Sequence, residues 1–286
     1  MATIHVNNVT LTYELLGAGS PVVLTPTGFN GMDYLRPLAE ALAVDHQVLL
    51  YDRRNCGTSE LAITDAPSEF HLWADDLHAL LQALELAPAH VLGASGGSVL
   101  SLLLAHQQPE DVRTLLLLMP PVDDPELCRG VCHNRYGLAA EQAEIAGMEA
   151  VAEFADWRDH LERNPDRRAQ LLTHNPQMFA KIVRRWEEFV TGERFSFAGL
   201  SDAELRSIRI PTLITPGLDA LHPRPVCRRL HERLPHATLM LPEERFPSEE
   251  LAQFKRWYEE DRGHIRYLPA LAPMLRDFMA ATGLGC

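Results

Sequence analysis

One serine is enclosed by glycines in Gly93-Ala94-Ser95-Gly96-Gly97, where an apolar β-like run, "AHVLGAS", gives way to a helical run, "SVLSLLLAHQQ". A serine hydroxyl is a poor nucleophile until a neighbouring base takes its proton. The pattern G-x-S-x-G at a strand-to-helix junction describes a sharp turn that strains the serine backbone and lifts its hydroxyl above a sheet. Glycine at 93 and 97 lets strand and helix approach closely. The N-terminus of the following helix then favours negative charge developing at the hydroxyl. The bland alternative is a glycine-rich turn with no chemical role.

The elements around this turn must position it. "TIHVNNVTLTYELLG" reads as an antiparallel pair turning at Asn7-Asn8, followed by the strands "PVVLTPTG", "HQVLLYD", "AHVLGAS", "VRTLLLLMPP", "PTLITPG" and "ATLMLP". Helical patterns alternate with them, among them "MDYLRPLAEALA", "FHLWADDLHALLQALEL" and "RPVCRRLHERL", and a last helix is predicted from about 266 to 281. This alternation predicts an α/β fold whose central sheet is mostly parallel, with helices on both faces. From about Asp123 to Ile208 the sequence offers helices and no convincing strand. Residues 123–208 are therefore expected to form a helical cap inserted between core segments 1–122 and 209–286. Trp157, Phe179, Trp186 and Phe189 in this stretch are candidates for pocket lining or for plain core.

Composition narrows the partners. The chain has 286 residues, is 46% hydrophobic and carries a formal charge of −13, which disfavours nucleic acid and anionic membranes as partners. No apolar run is long enough for a transmembrane helix, and "MATIHVNNVTLTYEL" lacks the pattern of a signal peptide. Five cysteines at irregular spacings suit reduced thiols, so a cytoplasmic location is expected. Cys128, Cys132 and His133 sit close together, but no further spaced ligand pair completes a zinc site. No metal or cofactor is predicted. The expected partner is a small-molecule substrate, and a homodimer is compatible with the sequence.

With these motifs in place, the chain resembles the α/β-hydrolase superfamily, in its serine-nucleophile branch, over nearly its whole length. "TPTGFNG" sits where the family has its oxyanion loop. "YDRRNCGTSE" matches the family turn D-x-R-G-x-G-x-S through Asp52, Arg54, Gly57 and Ser59. "PGLDALHP" is similar to the acid-bearing turn, and "RGHIRYLP" to the late Gly-His that opens the last helix. The resemblance implies Ser95 as nucleophile, Asp219 as acid and His264 as base, in the family's chain order. It also implies oxyanion donors at the backbone N–H groups of Phe29 and Gly96. Asp123 is the second candidate for the acid. His222, three residues from Asp219, is the rival histidine, and a capping or packing role is expected for it.

The sequence departs from the family pattern in three places. Thr27 replaces the usual histidine before the oxyanion-loop glycine, and Asn55 replaces a glycine whose left-handed backbone asparagine tolerates. The third is "PEERFPSEELAQFKRWYEEDR", an extra amphipathic helix before His264 that is expected to lie near the cap. Taken together, the implied function is a serine hydrolase for a small or medium acyl substrate: an ester, lactone or thioester. The alternatives on this fold are a C–C bond hydrolase, a lyase, a cofactor-free oxygenase or haloperoxidase, and a receptor-like ligand binder.

Overall fold

A computed structural model describes residues 1–162, 165–259 and 267–283. Eight strands form one sheet: β1 (Ala2–Val6), β2 (Val9–Leu16), β3 (Ser20–Thr25), β4 (His46–Tyr51), β5 (Ala89–Ala94), β6 (Val112–Leu118), β7 (Thr212–Thr215) and β8 (Ala237–Leu239). Their spatial order is β1-β2-β4-β3-β5-β6-β7-β8. β2 runs antiparallel to β1 and β4, and every pairing from β4 through β8 is parallel. The opening hairpin turns at Asn7 and Asn8, both left-handed at φ 47° and 58°. A two-residue hairpin turn demands that conformation, and asparagine supplies it at low cost.

The central strands are continuous apolar runs because helices cover both faces. Alternate side chains separate cleanly. Val91, Leu115 and Leu117 enter one core layer, whereas Leu92, Leu116 and Leu118 enter the other. The first layer is closed by α2 (Glu69–Ala83) and α3 (Gly96–Gln107). The second is closed by α1 (Arg36–Leu42) and the C-terminal helix.

Between β6 and β7 the chain forms α4 (Pro125–Cys132), α5 (Gly137–Ala146), α6 (Met148–Glu153), α7 (Ala155–Glu162), α8 (Pro165–Leu172), α9 (Pro176–Val190) and α10 (Asp202–Ser207). No strand occurs there among the described residues. In α9, Asn175 accepts a hydrogen bond from the Met178 N–H and Pro176 occupies the first turn, which fixes the start of the helix. The same helix buries Phe179, Ile182, Val183, Trp186 and Val190, the spacing of one helical face. Each such side chain contributes about 1.5–3 kcal/mol when fully buried.

The chain continues through α11 (Arg224–Arg233), α12 (Ser248–Glu259) and α13 (Ala272–Gly283). Two expectations are corrected here. α12, the extra helix, sends Phe254 into the second core layer with Tyr267 and Leu271, on the α1–α13 side. It does not join the layer that receives the β6–β7 helices. The last α-helix begins at Ala272 after a 3-10 turn, Leu268–Leu271, because Pro269 and Pro273 each remove a backbone donor.

Candidate active site

Ser95 occupies the turn between β5 and α3 with φ 51° and ψ −120°, a conformation that costs a non-glycine residue about 1–3 kcal/mol. Its neighbours maintain that strain. The Ser95 N–H donates to the Leu118 carbonyl at 2.9 Å. A Cβ at Gly93 would stand 2.3 Å from the Gly97 oxygen, and one at Gly97 would stand 2.2 Å from the Thr25 oxygen. Only glycine permits so close a crossing of β5, α3 and β3.

The turn after β7 faces this serine. The Ser95 hydroxyl lies 2.8 Å from His222 Nε2, and His222 Nδ1 lies 2.9 Å from both oxygens of Asp219. With Nδ1 carrying its proton, His222 donates to the carboxylate and presents Nε2 as the acceptor for the hydroxyl. Asp219 is fixed in turn by the N–H groups of Leu221 at 2.7 Å and His222 at 3.0 Å. Burial pushes its carboxyl pKa up. The bond and charge of His222, with the two backbone donors, outweigh burial and hold it below the ordinary carboxylate value. Gly217 makes room for the ring, since a Cβ there would stand 2.5 Å from His222 Cβ.

These residues open on a cavity of about 740 Å³. Its apolar wall includes Phe29, Phe70, Met119, Val122, Val190 and Phe195, with Arg135 contributing charge. Gly96 lies at the first turn of α3, where the helix supplies its N–H with no acceptor. The loop carrying Phe29 rests on that turn, because a Cβ at Gly96 would be 3.2 Å from Gly28 N. Cys128 and Cys132 also line the cavity. Burial pushes their thiols up to about 11 and about 12, so neither is a ready thiolate. His133 is engaged by Glu187 at 2.6 Å. Among the described residues, no three or more His, Cys, Asp or Glu side chains gather to hold a metal. No helix there is long and apolar enough to cross a membrane.

A family model of the alpha/beta hydrolase fold matches residues 20–244. The chain belongs to the α/β-hydrolase fold family. It is 30% identical over 240 residues to "Putative carbamate hydrolase RutD" of Azorhizobium caulinodans, covering 82% of this chain and 87% of the relative. Among solved structures it is similar to the enol-lactonase from Burkholderia xenovorans LB400. That match has 20% identity and a TM-score of 0.62, and covers 98% of this chain and 100% of the other. An alpha/beta hydrolase from Sphaerobacter thermophilus gives 24% identity and a TM-score of 0.61, covering 97% and 99%. At these identities the structural likeness shows the fold.

Within this α/β-hydrolase, the structure brings Ser95 and Asp219 together through an imidazole, and both line the cavity with Phe29 and Gly96. His264 lies outside the described residues. The imidazole that meets Ser95 is that of His222, which corrects the capping or packing role expected for it. The Asp-x-x-His spacing in "LDALHP" is the sequence signal for this contact. A carboxylate held by two backbone N–H groups at the start of a turn places a side chain three residues later alongside it. Asp123 pairs with Arg229 at 2.6 Å. Asn55 has the left-handed φ of 61° that its motif requires, and its side chain donates to Glu69 at 2.8 Å. Trp157, Phe179, Trp186 and Phe189 do not line the cavity; they pack in the core layer beside it. Phe29, Tyr34, Phe70 and Phe195 supply the aromatic lining instead.

Proposed function

We propose that this α/β-hydrolase is a serine hydrolase that cleaves small or medium acyl substrates through an acyl-enzyme. The observation that carries the reading is the continuous hydrogen-bond chain from Ser95 Oγ through His222 to Asp219 at the wall of a 740 Å³ cavity. In the proposed cycle, His222 Nε2 takes the hydroxyl proton as Ser95 Oγ bonds to the substrate carbonyl carbon. Asp219 holds the ring in the required tautomer and stabilises the imidazolium. The carbonyl oxygen becomes an oxyanion received by the N–H groups of Phe29 and Gly96, where one such donor is typically worth about 3–4 kcal/mol. Collapse expels the alcohol, thiol or amine, which takes the proton from His222. Water then repeats the sequence on the acyl-Ser95 ester, releasing the acid and regenerating the hydroxyl.

A wall of aliphatic and aromatic side chains suits an apolar acyl group. The relative's printed name adds carbamates to the substrates worth testing, since a carbamate carbonyl is open to the same attack. The helices between β6 and β7 serve in this reading as a cap that encloses the acyl group. The test is labelling by a fluorophosphonate, with turnover on a panel of p-nitrophenyl esters, lactones, thioesters and carbamates. Wild-type protein should label and turn over at least one class, and Ser95→Ala should do neither. A wild-type protein that binds such compounds without labelling would instead be a ligand-binding member of the fold.

A further inference from the structure

Arg53 has no role in the chemistry above, and its environment is costly. The side chain is fully buried, and among the described residues it pairs with no carboxylate. Among the described residues its Nε and Nη1 atoms have no hydrogen-bond partner. Only Nη2 is engaged, donating to the carbonyls of Gly28 at 2.7 Å, Asn30 at 3.1 Å and Thr27 at 3.4 Å. Three acceptors share the two protons of one nitrogen. The guanidinium also stacks on the Trp73 ring, 4.2 Å from its centroid. A buried cation held by three carbonyls of one loop is a poor stabilising device in itself. It is well suited to orienting that loop.

We infer that Arg53 is a positioning residue that turns the Gly28–Phe29 peptide so that the Phe29 N–H faces the oxyanion. This rests on the serine-hydrolase reading and names what sets its second donor. A trans peptide is planar, and its C=O and N–H point in opposite directions. The Gly28–Phe29 peptide is trans, so holding Gly28 O at 2.7 Å from Arg53 directs the Phe29 N–H away from Arg53. That far side is the side of Gly96, next to the nucleophile, as the preceding peptide shows. Thr27 O, on the preceding peptide, also faces Arg53, while Gly28 N of that peptide lies beside Gly96. The Asn30 N–H donates to Thr27 O at 3.0 Å, so of the two N–H groups that follow Gly28 it is that of Phe29 that is left to face the oxyanion. Gly28 takes a φ of 42°, a left-handed conformation that lets the loop present its carbonyls to one side. A cation against the Gly28 oxygen also polarises the peptide and strengthens the N–H at its other end. Lysine does not reproduce this, because its ammonium lacks the planar group that stacks on Trp73 and holds the cation in place against the carbonyls.

The test compares Arg53→Lys with wild type on an ester that the wild type hydrolyses. The expected result is a kcat lower by about 10-fold to 100-fold, with KM within about threefold, since the loss falls on the transition state. A trifluoromethyl ketone that adds to Ser95 should weaken by the same factor, while a product carboxylate binds as before. A lowered melting temperature with kcat unchanged would make Arg53 merely structural and overturn the inference. A structure of phosphonylated wild-type enzyme tests the same point without a variant. The phosphonyl oxygen should accept from the Phe29 N–H with Gly28 O still on Arg53. A phosphonyl oxygen bound elsewhere, or a Gly28–Phe29 peptide turned away from Arg53, would overturn the inference while leaving the hydrolase reading intact. Wild-type protein that neither labels nor hydrolyses would instead remove that reading and the inference with it.

Discussion

Asp219 and His222 lie three residues apart on one turn, joined by a 2.9 Å hydrogen bond that closes the turn on itself. The carboxylate that orients the imidazole is itself oriented by the Leu221 and His222 N–H groups. On the proposed reading, acid and base share one local unit, carried to Ser95 by β7 packed beside β6. On this geometry His222→Ala should lower kcat by about a thousandfold or more, the cost of removing a general base together with its partner contacts. His264→Ala should leave kcat within about threefold on this reading. Steady-state kinetics on a p-nitrophenyl ester decides between them, and the reverse pattern would return the base to His264.

Asp219→Asn should cost about 10⁴-fold in kcat, because the amide favours the wrong imidazole tautomer. Asp123→Asn breaks only a partly exposed pair with Arg229, for which about 0–1 kcal/mol of stability and little activity are expected. The Asp219 carboxyl is held below its ordinary value, so its contribution to stability is present above the unfolded pKa. It is lost as the pH falls through the lower folded value. Acid unfolding curves of wild type and Asp219→Asn should therefore converge at the lowest pH.

Gly97→Ala tests whether the glycine is required sterically. The new methyl would meet the Thr25 oxygen at 2.2 Å, a backbone atom in the middle of the sheet. Overpacking of this kind costs about 1–3 kcal/mol. Thermal denaturation should register that loss, and displacement of Ser95 should abolish fluorophosphonate labelling even in the folded fraction.

His90 gives the protein a pH dependence away from the site. Burial, then the Arg113 charge and the nearby His46, push its imidazole down to about 4, while it bonds Thr114 at 2.7 Å. The unfolded chain takes up this proton near pH 6.5 and the folded chain resists until about pH 4, so stability falls as pH is lowered between them. His90→Gln keeps a polar group near Thr114 and removes the titration. Its melting temperature should fall less steeply than that of wild type from pH 6.5 to 4.

Selectivity should follow the residues that line the cavity. Phe195→Ala enlarges the cavity and, on the proposed reading, should raise relative activity on bulkier acyl chains. Trp157 is fully buried against Phe179 and donates to the Arg135 carbonyl at 3.0 Å. Trp157→Ala should cost about 3–5 kcal/mol with little change in chain-length preference. Melting curves and an ester-length series on the two variants separate these outcomes.

Local chemistry determined much of this protein from its sequence. Short apolar runs alternating with helical patterns marked the strands, Asn7-Asn8 marked the first turn, and Gly93 and Gly97 marked where strand and helix must cross. These features depend on neighbours a few residues away and on glycine's missing Cβ, both of which a sequence displays. The histidine was different. Thirteen histidines are spread along the chain, and which of them meets Ser95 depends on how the turn after β7 is held against the end of β5, 127 residues away in sequence. The same holds for the aromatics of α7 and α9. Their spacing makes a buried face, but only the packing of helix on sheet decides that the face meets core and that Phe195 meets the cavity. The sequence likewise says only that Arg53 sits within the turn "YDRRNCGTSE", whereas its grip on the Gly28 carbonyl is a contact across 25 residues. Side-chain identity and local period are written in the chain, but direction and partner are settled only when distant segments exclude water from one another.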